Sequence, residues 1–328
     1  LGVTSALPGP GSTQMSMLIG RRRAGWPGLV VGGVCFIAPA FCIVLGLAWL
    51  YAHHGRGTVA TGILFGVKPV VIAVVAQALW GLSKVAVPDV PAGVLAAGSL
   101  GAYFAGVDVL VILAAAGLLL TLVRNIPRRG APSGALGLTP LPLGPLALSA
   151  THIGRVRSGQ VFLEFLKLGA VVFGSGYVLL AFLHRDLVTG LGWLGNTRLL
   201  DAVAVGQLTP GPVFTTATFI GYLVAGVPGA VLATVGIFLP SFFMVAAAAP
   251  LIGRLRRSSW TAGVLDGVNA AAIGLMAGVG VDLARTAFTG PVAVILAVAA
   301  AVALLRYRVN SAWVVLAGAA AGVLHALA

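Results

Sequence analysis

The chain has 328 residues, 59% of them hydrophobic and only 8% charged, with a formal net charge of +13. A soluble domain needs about a quarter charged residues to cover its surface, so a soluble fold is excluded. Nucleic acid is disfavoured as the partner for that charge. The arginines fall in short clusters between apolar stretches, like the cationic loops that stay on the cytoplasmic side of a bilayer.

A helix crossing a hydrocarbon core needs about 17–25 apolar residues. In chain order, spans are expected at 27–51, 63–82, 92–104, 108–123, 162–182, 229–252, 262–283, 291–305 and 312–327. Two more apolar stretches, 1–20 and 199–222, are each interrupted by the same Pro-Gly-Pro. The expected fold is an all-α integral membrane protein of about ten transmembrane segments, with the lipid bilayer as its surroundings. Cys35 and Cys42, within one span, read as small buried hydrophobes. Pairing of two such chains into a homodimer is kept as an expectation.

The halves on either side of a polar stretch repeat each other. Pro8-Gly9-Pro10 matches Pro210-Gly211-Pro212. After a one-residue slip the pairs run Gly20/Gly221, Ala24/Ala225, Gly25/Gly226, Pro27/Pro228, Pro39/Pro240, Gly62/Gly263 and Gly66/Gly267. This gives a first repeat at 1–123, a cytoplasmic linker at 124–158 and a second repeat at 159–328. The second repeat has a leading segment whose counterpart is expected before Leu1, so the chain is read as truncated at its start. Arg21, Arg22 and Arg23 precede the span 27–51, whereas Arg254, Arg256 and Arg257 follow its equivalent. Cationic loops face inward, so the equivalent spans should run in opposite directions, as in the inverted repeats of secondary transporters. A parallel duplication with an uneven charge bias is the competing arrangement. Because Arg157 and Arg254 both fall inside, either 162–182 or 199–222 must be re-entrant or broken.

Irregular backbone at membrane depth survives only where it lines a cavity or is buried in protein. The two Pro-Gly-Pro breaks, Pro8, Gly9, Pro10 and Pro210, Gly211, Pro212, are therefore the first candidate site. Each is followed by polar residues, Ser12, Thr13 and Gln14 in one half and Thr215 and Thr216 in the other. A helix starting after proline presents unpaired N–H groups and its positive dipole end, which suits an anion. The competing reading is a pair of proline kinks whose hydroxyls bond back onto the backbone. Lys68 and Asn269 hold equivalent positions within spans, and a lysine inside lipid is costly unless it faces a cavity. Lys167 either serves the same anion or pairs with Glu164 at the interface. Asp201 and Asp266 could carry a coupling proton, but read more readily as helix ends, and His184-Arg185-Asp186 reads as a solvated loop. No catalytic constellation, nucleotide loop, metal spacing or cofactor motif is apparent.

The motifs themselves resemble a known family. Leu7-Pro8-Gly9-Pro10 and Arg22-Arg23-Ala24-Gly25-Trp26-Pro27-Gly28 are similar to the first half of the chromate ion transporter family, long two-domain type. The second half follows its pattern in order: Phe165-Leu166-Lys167-Leu168-Gly169, Gly206-Gln207-Leu208-Thr209-Pro210-Gly211-Pro212 and Gly236-Ile237-Phe238-Leu239-Pro240-Ser241-Phe242. Ser175 departs from it, standing where the family usually has glycine. The resemblance implies a transporter, not an enzyme, that exports chromate across the bacterial plasma membrane, driven by membrane potential or a proton gradient. It adds Gln207 to the candidate substrate residues and implies no cofactor. A sulfate-like oxyanion importer is the alternative within the fold. A non-transporting membrane enzyme or assembly subunit is the alternative outside it.

Overall fold

The computed structural model describes residues 10–55, 57–125, 158–172, 178–248 and 259–327. Every regular element among them is helical, since a helix satisfies its own backbone where no water can. In order these are α1 (Gly11–His54), α2 (Thr58–Ala86), α3 (Val90–Phe104), α4 (Val109–Asn125) and α5 (Ser158–Val171). Next come α6 (Leu179–Leu183), running into a π-helix (His184–Gly190), then α7 (Asn196–Leu208) and a 3-10 turn (Val213–Thr215). The chain closes with α8 (Thr216–Ala248), α9 (Ser259–Ala287), α10 (Pro291–Leu305) and α11 (Ser311–Leu327). Gly11–His54, Thr58–Ala86, Val213–Ala247 and Ala262–Ala287 are long and apolar enough to cross a membrane, and four shorter apolar helices accompany them. The chain is a multi-pass membrane protein. Residues 126–157 of the expected linker, Pro8, Gly9, residues 173–177, and Arg254, Arg256 and Arg257 lie outside the described residues.

Both α1 and α8 are helical hairpins. In α1 the helix is interrupted at Ala24 (φ −139°, ψ 22°) and Gly25 (φ 62°, ψ −140°). In α8 the same pair of conformations recurs at Ala225 (φ −143°, ψ 25°) and Gly226 (φ 65°, ψ −154°). The positive φ is open to glycine at little cost, and Pro27 and Pro228 then start the second arm with φ already set. The arms pack backbone to backbone. A Cβ on Gly20 would lie 2.0 Å from the Gly28 carbonyl oxygen, and one on Gly221 would lie 2.3 Å from that of Gly229. Further from each turn, Ser16 Oγ donates to the Gly32 carbonyl at 2.8 Å, and the Thr218 and Thr234 hydroxyls meet at 2.7 Å. Contacts at increasing distance on both sides of the turn make each pair of arms antiparallel.

The second arms of α1 and α8 pass each other in opposite directions. Near the α1 turn, Arg21 donates to the carbonyls of Val245, at 3.0 Å, and Ala246, toward the far end of α8. Further along, Gly33 lies under the Phe242 ring, and Ala40 meets Gly211, which precedes α8. Helices of one half also pack on the other. α2 holds α10 and α11, while α9 holds α3 and α4, and α2 and α9 touch each other. Glycine permits these approaches: a Cβ on Gly66 would stand 1.9 Å from the Gly318 carbonyl, and one on Gly267 would stand 2.4 Å from that of Ala116. On the α3–α4–α9 side, Arg124 bridges Asp89 and Asp266. Asp89 caps α3, and the Ala92 amide, together with Arg124, holds its carboxyl below the usual carboxylate range.

Three expectations need correction. Cys35 and Cys42 are exposed rather than buried, because their face of α1 points away from the protein. His184-Arg185-Asp186 is not a solvated loop. It opens the π-helix, Asp186 is buried, and Arg185 bridges Asp186 and Asp108. Asp201 and Asp266 lie within α7 and α9 rather than at helix ends, each neutralised by a cation from another helix.

The backbone contact at Gly66 predicts that Gly66→Ala destabilises the protein by about 1–3 kcal/mol through overpacking. Gly98→Ala, which meets nothing within 4 Å, should leave the melting temperature unchanged or raise it. Thermal unfolding of both variants in one detergent checks this. The antiparallel arms predict that single cysteines at Ala24 and Val227, in a Cys35→Ser, Cys42→Ser background, are labelled by an impermeant thiol reagent from opposite sides of sealed vesicles.

Candidate functional site

The second break is built from the end of α7. Thr209 is extended (φ −87°, ψ 127°), and Pro210, Gly211 and Pro212 carry the chain to the 3-10 turn and α8. The chain folds back on itself here. A Cβ on Gly206 would lie 2.4 Å from Thr216 Oγ1, so only glycine lets the two limbs close. Tyr51 then touches both limbs: its hydroxyl donates to Asp201 Oδ2 at 2.9 Å, and its ring lies 5.2 Å from that of Phe219. Of the two segments of which one is expected to be re-entrant or broken, 199–222 is broken at Pro210, Gly211 and Pro212 and folds back on itself, while in 162–182 α5 ends at Val171 and α6 begins at Leu179. Phe214 stacks near Phe238, with ring centroids 6.1 Å apart. Phe238 lies ten residues beyond Pro228, where the long arm begins. At 1.5 Å per residue that is about 15 Å, half of the roughly 30 Å core. The break therefore lies about half a membrane thickness along the arm from the Pro228 turn.

Hydroxyls at the break are turned inward. Thr209 donates to Val205, Thr215 to Pro212 and Thr216 to Val213, at 2.9, 2.8 and 2.7 Å. Their protons go to backbone carbonyls, so any anion here meets main-chain N–H groups before threonine hydroxyls. Pro210 and Gly211 are exposed and Pro212 is buried. Gln207, in the last turn of α7, has a buried Nε2 with no hydrogen-bond partner among the described residues.

In the first half, Pro10 precedes α1 and its carbonyl accepts from the Gln14 amide at 3.0 Å. Ser12 is exposed, and Thr13 and Gln14 are fully buried. Among the described residues Thr13 Oγ1 has no partner, and neither has Ser241 Oγ on α8, although both residues have no exposed surface. They flank one contact. Met17, a turn beyond Thr13, and Phe242, next to Ser241, both crowd the space above Gly33. Ser241 also follows Phe238 by about one turn, which places it level with the second break.

The lysines separate. Lys68 Nζ lies 3.0 Å from Asp201 Oδ1, joining α2 to the re-entrant limb. Lys167 is held by Glu164, at 2.5 Å, and by Asp186, at 2.9 Å, in a chain that continues through Arg185 to Asp108. Two carboxylates already neutralise it, so it belongs to that network. Asn269, the repeat equivalent of Lys68, is half-buried within α9. Sequence reasoning passed over Tyr51 and Ser241 as site residues. A usable signal existed for the ion pair, because Asp201 is the sole carboxylate in 199–222 and Lys68 is the sole cation in 63–82.

Comparison with known proteins gives this geometry its family. The family model described as chromate transporter matches residues 1–121 and 159–323. The chain is 33% identical to the chromate transport protein of Cupriavidus metallidurans, over 98% of this chain and 80% of that one. It is 32% identical to the probable chromate transport protein of Synechococcus elongatus, over 87% of this chain and 73% of that one. It is 31% identical to the chromate transport protein of Pseudomonas aeruginosa, over 87% and 70% respectively. No solved structure matches the chain. Two matched stretches covering most of the sequence, with Pro-Gly-Pro in each, place this chain in the chromate transporter family.

Proposed function

We propose that the protein is a secondary transporter that exports chromate, a tetrahedral dianion, across a bacterial plasma membrane. The supporting observation is the break at Pro210, Gly211 and Pro212, where helix N-termini lie near buried polar atoms that have no hydrogen-bond partner among the described residues. Gln207 Nε2 is the foremost of these, with Thr13 Oγ1 and Ser241 Oγ close to the same level. A buried polar group without a partner costs about 1–3 kcal/mol, and a bound oxyanion supplies acceptors for it. The first turns of α1 and of the 3-10 segment add N–H groups and positive dipole ends, a favourable setting for an anion. The bundle that α2 forms with α10 and α11 and the bundle that α9 forms with α3 and α4 move against each other around this site, exposing it alternately to each side.

Direction follows from charge. An inside-negative potential of about 100 mV contributes about 2.3 kcal/mol per charge, so expelling a dianion gains about 4.6 kcal/mol. Export can run on that potential, whereas uptake would need coupling to a cation. The same donors fit sulfate, which is a similar tetrahedral dianion, and sulfate therefore competes.

Inverted vesicles containing the protein should accumulate radiolabelled chromate in a potential-dependent, saturable manner that excess sulfate inhibits. Absence of accumulation under any gradient would remove the export reading. Losing a hydrogen bond to a charged group costs about 1.5–3 kcal/mol, or about 10–100-fold in affinity. Gln207→Leu should therefore raise the half-saturating chromate concentration by about that factor, whereas Thr215→Ala, whose hydroxyl serves a carbonyl, should change it less.

A further inference from the structure

The Lys68–Asp201 pair performs no task in the reading so far, yet it is placed as no structural ion pair needs to be. Both residues lie within helices at membrane depth, on α2 and on the re-entrant limb that leads to the break. Asp201 retains 3% side-chain exposure, whereas Lys68 retains 18%. Charged side chains within spans usually face the bundle interior or a water-filled cavity, and this pair is sealed on the carboxylate side and more open on the lysine side. Oδ1 lies 3.0 Å from Nζ, while Oδ2 is held by the Tyr51 hydroxyl, so each carboxylate oxygen has its own partner.

The surroundings leave Asp201 with little other charge. α2 offers Lys68 and α1 offers Tyr51; on α7 itself Arg198 lies one turn away. α8 packs Phe219 there and carries Tyr222 as its titratable group. From α11 comes His325, whose ring stacks on Phe65, one turn from Lys68. The charged groups of α9 and the π-helix are engaged elsewhere: Asp266 with Arg124, Asp282 with Tyr103 and Arg285, and Arg185 and Asp186 with the Lys167 network. His184 sits beside Tyr103. If Lys68 leaves, Asp201 stays buried as an anion with the Tyr51 hydroxyl as its closest partner. A charge so placed is costly and is relieved by taking up a proton.

We infer that Asp201 is a proton-binding site coupled to the oxyanion through Lys68. This rests on the oxyanion reading above. The entering dianion draws the Lys68 ammonium from Asp201, and a proton from bulk water then binds the vacated carboxylate. No bond within the substrate changes. Anion and proton therefore favour each other's binding, by the same factor in each direction. One net negative charge still leaves with each chromate, so an inside-negative potential continues to favour export.

The test is chromate binding to the purified protein by calorimetry in buffers of different ionisation enthalpy, between about pH 7.5 and about pH 9, where chromate is a dianion. Wild-type protein should take up close to one proton per chromate, and its affinity should weaken by up to tenfold per pH unit as pH rises. Asp201→Asn should still bind chromate, with no proton uptake and an affinity independent of pH. Wild-type binding without proton uptake would overturn the coupling and leave the oxyanion reading standing. Absence of chromate binding at every pH would overturn both. The wild-type measurement decides the matter even if Asp201→Asn fails to fold.

Discussion

Everything in this structure answers to one constraint: non-helical backbone at membrane depth must be shielded from lipid. The second Pro-Gly-Pro opens a helix through a 3-10 turn in which the Thr215 amide already bonds the Pro212 carbonyl, leaving the earlier amides of that turn without an intrahelical partner. The protein encloses that end. The limbs close through Gly206 against Thr216, and the far side is covered by Ala40 of the other half. A helix start that would be a defect in lipid becomes, in that enclosure, a concentrated positive field.

Enclosure in turn depends on packing closer than ordinary side chains permit. Lipid gives apolar helices little reason to associate, so contact area and close approach must hold the bundle together. Gly66 on Gly318, Gly267 on Ala116 and Gly274 on Ala96 bring backbones together between the halves rather than within them. Because α2 grips α10 and α11 while α9 grips α3 and α4, neither half buries its own helices alone. The break, the interlock and the glycine contacts thus form a single arrangement.

Much of this was legible in the sequence because it depends on residues with few conformational alternatives. The pairs Gly25/Gly226 and Pro27/Pro228 marked both hairpin turns, since a left-handed residue followed by a fixed φ is a local device. Arginine placement pointed to opposed directions for the equivalent spans, and Arg21, just before the α1 turn, lies against the far end of α8. What stayed hidden depends on tertiary proximity. Nothing local told that Lys167 reaches Asp186, and only the isolation of one carboxylate and one cation in their apolar stretches hinted that Asp201 faces Lys68; that the Thr215 and Thr216 hydroxyls turn toward carbonyls was one of two readings the sequence left open. The cysteines were misjudged for a related reason: in a membrane protein an apolar face can point outward, so hydrophobicity does not imply burial.

The central claim is that an oxyanion sits between the two helix breaks at the membrane midplane. Diffraction at the chromium absorption edge from crystals of the protein soaked with chromate tests it most directly. The account predicts one anomalous peak within hydrogen-bond reach of residues 10–14 and 207–216. A peak against the Lys167–Arg185 network instead, with both breaks empty, would contradict it.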